Sequence, residues 1–156
     1  GRFMAFSPDW APNVHPLLVH FPISRLIPAV GVDLTAWLLW RNEPLRRVAT
    51  VLYVLGTAAA VVTYFTGRAA AQTVWLPGVA HALVGEHWDW ALRTVWFFGI
   101  VTTVRLVLLW STRRAASPAI GAALALAGLI GLGLLYETGD RGGRLVYEHG
   151  VGTQRR

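Results

Sequence analysis

Two histidines five residues apart, in the stretch NVHPLLVHFP from Asn13 to Pro22, hold the most chemical promise in this chain. His15 is followed at once by proline, and His20 two residues on. Three more histidines come later, His81, His87 and His149. Neutral imidazole is the commonest side-chain metal ligand and the usual axial ligand of a haem that is not covalently attached. Five residues along a helix amount to about 140° of turn and about 7.5 Å of rise. His15 and His20 therefore do not close on one small ion. They serve two sites, or one ligates while the other hydrogen-bonds. Cross-helix pairs, such as His20 with His87 and His15 with His149, then hold one or two b-type haems.

Other groups complete such a site. Arginine grips carboxylates in a forked manner. Arg25, a turn beyond His20, is thus a candidate clamp for a haem propionate, with Arg68, Arg93 and Arg144 as rivals. Glu86 and Glu148 are placed to orient neighbouring imidazoles, as carboxylates do behind metal-bound histidines. Asp33 and Arg105 lie deep in apolar stretches, where charges come in pairs. A structural ion pair is expected between them, with a proton path as the sharper alternative. Cysteine is absent, which rules out disulfides, iron–sulfur ligation, covalent haem attachment and thiolate zinc sites.

The elements that must position these residues are apolar. Of the chain, 54% is hydrophobic and 14% charged, against about 25% charged in a soluble domain. Much of its surface therefore does not face water. Four apolar runs stand out, at about 16–40, 48–67, 90–110 and 118–136, followed by a polar tail at 137–156. Each matches the roughly 20 residues that cross a bilayer as a helix. Lipid offers no partner to the backbone, so helices are required, and no two-residue alternation suggests a barrel. Trp10, Trp40, Trp75, Trp88, Trp90 and Trp110 fall near the ends of the runs, as an interfacial aromatic belt does. The fold expected is an all-α, integral membrane four-helix bundle with both termini on the same side, forming a single domain. All five histidines then gather at one membrane face. His81 reads more simply as an interfacial polar residue.

The opposite face carries Arg41, Arg46, Arg47, Arg113 and Arg114 in short loops, with Glu43 as the one acid. By the positive-inside rule those loops are cytoplasmic and the termini periplasmic, in a bacterial inner membrane. The arginine-rich tail, with Arg141, Arg144, Arg155 and Arg156, pulls the other way. The opening GRFMAFSPDWAPN is polar and aromatic and does not read as a cleavable signal. Every basic residue is arginine, yet these residues form no basic face, and nucleic acid is not expected as a partner.

Pro16 suits a first helical turn, whereas Pro22 and Pro28 remove backbone bonds to Leu18 and Ser24. The first helix should bend near its mouth, and the freed carbonyls must find donors. Ala119, Ala123, Ala127 and Gly131 recur every fourth residue, a smooth stripe for close helix packing within the subunit. GDRGGR, at 139–144, reads as a turn. No G-x-S-x-G, H-E-x-x-H or Walker motif points to a hydrolase.

HPLLVHFPI near the start, GGRLVYEHGVG near the end and EHWDWALRT at the third helix together resemble a bacterial four-span family, domain of unknown function 2231. The likeness covers about residues 13–153. The association of its relatives with Rieske-type and c-type cytochrome modules implies membrane electron transfer. Carried over, the family's histidines fall on His15, His20, His87 and His149, while Arg25 stands where relatives are apolar. The function expected is a membrane b-type haem subunit passing electrons between a periplasmic c-type cytochrome or Rieske-like carrier and a larger membrane complex. A cofactor-free accessory subunit of a respiratory or photosynthetic complex is the alternative. A metal or quinone site at the same histidines comes third.

Overall fold

The computed structural model describes residues 8–9, 11–39, 42–111 and 117–153, and among these every regular element is helical. Trp10, Trp40, Arg41, Arg113, Arg114, Arg155 and Arg156 lie outside the described residues. The first span is made of α1 (His15–Leu18) and α2 (His20–Leu38), with a step at Val19. The second is α3 (Glu43–Ala70). A 3₁₀ turn at Gly78–Ala80 leads into α4 (His81–Trp110), and α5 (Pro118–Tyr147) follows. These make four stretches long and apolar enough to cross a membrane.

Local chemistry sets the helix ends. Asn42 caps α3 by accepting from the Leu45 amide at 3.1 Å, with Glu43 in the first turn against the positive helix terminus. Pro16, Pro44 and Pro118 all sit in first turns, where a missing N–H costs nothing. Pro22 deprives the Leu18 carbonyl of its helical donor. The Thr63 hydroxyl of α3 supplies one at 3.3 Å, so the proline step is stitched to the neighbouring helix.

The helices form a closed ring: α2 packs on α3, α3 on α4, α4 on α5, and α5 back on α2. Alternating directions with short connections give an up-and-down bundle. At one end, Asn13 donates to the Thr73 hydroxyl at 3.1 Å, and Gly152 packs on Pro12. The first and last described segments thus meet at the same end. The core is Leu26, Ala29, Val30, Tyr53, Phe98 and Val101. α5 approaches it through glycines: a Cβ at Gly131 would meet the Phe98 ring tip at 2.6 Å. The smooth face of α5 is therefore Gly121, Leu124, Gly128 and Gly131. In the predicted row, Ala119 and Ala123 point outward, and only Ala127 and Gly131 pack. Outside, large apolar side chains such as Val51, Phe65, Ile100 and Ile130 cover the bundle, a surface suited to acyl chains.

Asp33 and Arg105 form the expected ion pair. Two guanidinium nitrogens donate to the two carboxylate oxygens at 2.7 and 2.8 Å, and both side chains are buried. This forked geometry sets the two charges directly against each other.

The helices outrun the apolar stretches. α4 and α5 have 30 residues each, about 45 Å of helix at 1.5 Å per residue, against about 30 Å of hydrocarbon. The segment 81–89, expected as loop, is the start of α4, and GDRGGR lies inside α5 rather than in a turn. Hydropathy marks where lipid stops, not where a helix stops. The overhang is held by Arg141, which pairs with Glu137 on its own helix and with Glu86 of α4 at 3.3 Å, and by Arg144 with Glu148 at 3.0 Å.

Candidate functional site

The site is built at the overhanging end, where α1 meets α3 and α4 meets α5. α1 lays the His15 ring against α3, with Nδ1 3.4 Å from the Thr66 hydroxyl oxygen. That hydroxyl gives its own proton to the Thr63 carbonyl at 3.0 Å, so it accepts from His15 Nδ1–H. α4 lays His87 against α5, where Nδ1–H donates to the Thr138 carbonyl at 2.9 Å. A carbonyl only accepts, which assigns the tautomer. Both neutral imidazoles therefore carry their proton on Nδ1 and keep the Nε2 lone pair for a ligand. Each ring fills a notch left by glycine: a Cβ would stand 2.7 Å from His15 Cε1 at Gly67 and 3.1 Å from His87 Cε1 at Gly142. Both rings are half-buried.

The other histidines are placed differently. His20 lies on the exposed outer face of α2, its Nδ1–H donating to the Leu17 carbonyl at 3.3 Å. His81 caps the turn before α4 through the Pro77 and Gly78 carbonyls at 3.2 and 3.3 Å. His149 is half-buried just past α5. The chain turns there at Gly150, with φ of 65°, and the Val151 amide reaches back to the Leu145 carbonyl at 2.9 Å. This is a glycine-based helix stop, and it folds Val151 onto Ala80, Val84 and Leu145. His15 and His87 thus pack against neighbouring helices at this end, whereas His20 faces outward.

The expected clamps also separate. Arg25 turns back on its own helix, donating to the Ser24 hydroxyl at 2.6 Å and lying over the Phe21 ring at 4.8 Å. Its position beside Gly56 forces this, because the long stem must run out of the bundle to reach polar ground. Arg144 is taken by Glu148, and Glu86 by Arg141, so neither acid orients an imidazole; the threonines do. Arg93 and Arg141 each lie 4.8 Å over the Trp90 ring. Arg68 of α3 also links two helices beside the histidines. It donates to the Tyr64 hydroxyl at 3.4 Å and lies 4.2 Å over the ring of Trp88, next to His87.

Two clefts open at the opposite end of the bundle beside Arg46 and Leu124, reaching Arg105 and Asp33 respectively, far from the imidazoles. Among the described residues no three His, Asp or Glu side chains gather as a metal-ion cage.

The chain belongs to the family of predicted membrane proteins DUF2231, whose model matches residues 11–155. No curated protein and no solved structure matches it.

Thr66, Gly67, Thr138 and Gly142 were not foreseen as site residues. Their signal lies in the sequence: Tyr64-x-Thr66-Gly67 recurs as Tyr136-x-Thr138-Gly139, and each threonine follows its histidine by 51 residues.

Proposed function

We propose that this chain is a membrane b-type haem subunit of an electron-transfer assembly, with His15 and His87 as the axial ligands. The reading is carried by one observation: both imidazoles have Nδ1–H tied to a threonine acceptor, leaving an Nε2 lone pair on each ring at the same end of the bundle. A bound haem would supply one-electron storage. The chain's own residues do the rest. Thr66 and Thr138 hold the rings in the ligating tautomer, and such anchored protons raise ligand basicity. Gly67 and Gly142 let the rings seat against the helix backbone. Arg68, steadied by Tyr64 and Trp88, offers a guanidinium to a propionate carboxylate. His20, His149, Arg25 and Arg144 take no part in ligation.

The arginines Arg46 and Arg47 at the end opposite the histidines favour that end as cytoplasmic. The histidine end would then face the periplasm of a bacterial inner membrane, where a c-type cytochrome or Rieske protein could exchange electrons with it. A larger membrane complex is the second partner, with lipid around the bundle.

The experiment is a reduced-minus-oxidised spectrum of the protein purified in mild detergent. A b-type α-band is expected. Cofactor-free protein that co-purifies with a larger membrane complex would instead establish the accessory-subunit reading.

A further inference from the structure

The two histidines are equivalent positions in a repeat. His87 follows His15 by 72 residues, Thr138 follows Thr66 by the same step, and Arg105 follows Asp33 likewise. The step carries most of the buried face of α2 onto that of α4. In α2 the buried residues include Pro22, Leu26, Ala29, Val30 and Asp33. Shifted by the 72 residues that separate Asp33 from Arg105, they fall on Thr94, Phe98, Val101, Thr102 and Arg105, all buried in α4. Buried Tyr53 and Gly56 of α3 fall in the same way on buried Ala125 and Gly128 of α5.

The bundle is thus two copies of one helical hairpin, α1–α2–α3 and α4–α5. Both hairpins start at the same end, so the operation relating them is a rotation about an axis along the bundle, the parallel kind of internal repeat in membrane proteins. Residues that are equivalents and also touch must flank that axis. Asp33 and Arg105 do so, joined at 2.7 Å across the diagonal of the bundle. His15 and His87, on α1 and α4, are equivalents by the same step toward the other end of the bundle.

We infer that His15 and His87 are one site astride an internal two-fold axis, built for a single ligand that presents the same chemistry to both sides. A planar metal macrocycle with an open axial position on each face has that property. This deepens the haem reading and rests on it: one haem per chain, bound by both histidines, and not two haems bound separately. Each histidine leans on the equivalent threonine of the following helix of its own hairpin, Thr66 through its hydroxyl and Thr138 through its carbonyl.

Two measurements test this and separate its failure from that of the haem reading. The chain is free of cysteine, so His15→Cys with His87→Cys gives a unique thiol pair. A short bifunctional thiol reagent should link the two positions within one chain, and should fail with His20→Cys plus His87→Cys. Absence of the first link overturns the axial arrangement whether or not haem binds. In the loaded protein, haem should titrate to one per chain with a low-spin spectrum, and His15→Ala or His87→Ala should each abolish that low-spin form. Two haems per chain, or single variants that each keep half of the low-spin haem, would overturn the single shared site. Thiol linkage in a protein that carries no haem would keep the axis and sink the cofactor.

Discussion

Gly67 lies beneath the imidazole of His15, so close that a Cβ there would stand 2.7 Å from Cε1 and 3.1 Å from Nε2. A half-buried ring against bare backbone is a costly place for a histidine unless its position matters. The same device recurs at Gly142 under His87, with looser contact. The two notches fix how far each ring stands from its helix, and so where each Nε2 points.

Gly67→Ala should therefore act on the site and not on the fold. The methyl group cannot coexist with the ring as placed, and His15 must swing off Thr66. Haem retention is expected to fall at least tenfold, while far-UV circular dichroism stays unchanged. Gly139→Ala is the control. It occupies the repeat position of Gly67, but its added Cβ meets nothing within 4 Å, and it should be silent.

Alanine scanning of the histidines should split them in two. His15→Ala and His87→Ala are expected to remove the b-type α-band. His20→Ala and His81→Ala should keep it, because the first faces outward and the second caps a turn. Loss of the band in His20→Ala with retention in His15→Ala would contradict the assignment of ligands.

Gly150→Ala should loosen the tail. Gly150 sits at φ of 65°, where a Cβ costs about 1–2 kcal/mol. The amide bonds Gly150 to Val146 and Val151 to Leu145, both 2.9 Å, close this stop. Amide hydrogen exchange beyond Tyr147 should quicken, with the membrane helices unaffected.

Much of this was legible beforehand, and the failures share a cause. Hydropathy located the four spans because lipid demands an apolar exterior. The Asp33–Arg105 pair was legible because a lone charge at that depth is untenable. The fate of the Leu18 carbonyl followed from Pro22 by the same accounting. What hydropathy could not see was helix outside lipid: Glu86, Glu137, Arg141 and Arg144 hold polar helical turns by ion pairs, which read as loop. Which histidine faces inward was not legible for a rotational reason. His20 sits about 140° around the helix from His15, and only the packing of the helices decided which of the two faces inward. The choice was readable in principle, since only His15 has a counterpart, His87, at the repeat distance that also relates Asp33 to Arg105.

That repeat makes the last prediction, a charge exchange. Asp33→Asn leaves the Arg105 guanidinium buried, 2% exposed, without its counter-charge. Breaking a buried pair from one side costs about 3–5 kcal/mol. Arg105→Gln should cost about as much, by leaving the carboxylate alone. Because the two positions are equivalents flanking one axis, the exchanged protein, Asp33→Arg with Arg105→Asp, can rebuild the fork with the direction of the pair reversed. Its surroundings are not identical, since Tyr53 lies 4.5 Å from the Arg105 guanidinium and its repeat counterpart is Ala125. Recovery should thus be partial but large, with more than half the loss of either single variant regained in unfolding measured in mixed micelles. An exchanged protein no more stable than Asp33→Asn would mean that the two sites are not interchangeable, and that the matching buried faces of α2 and α4 do not reflect a common frame.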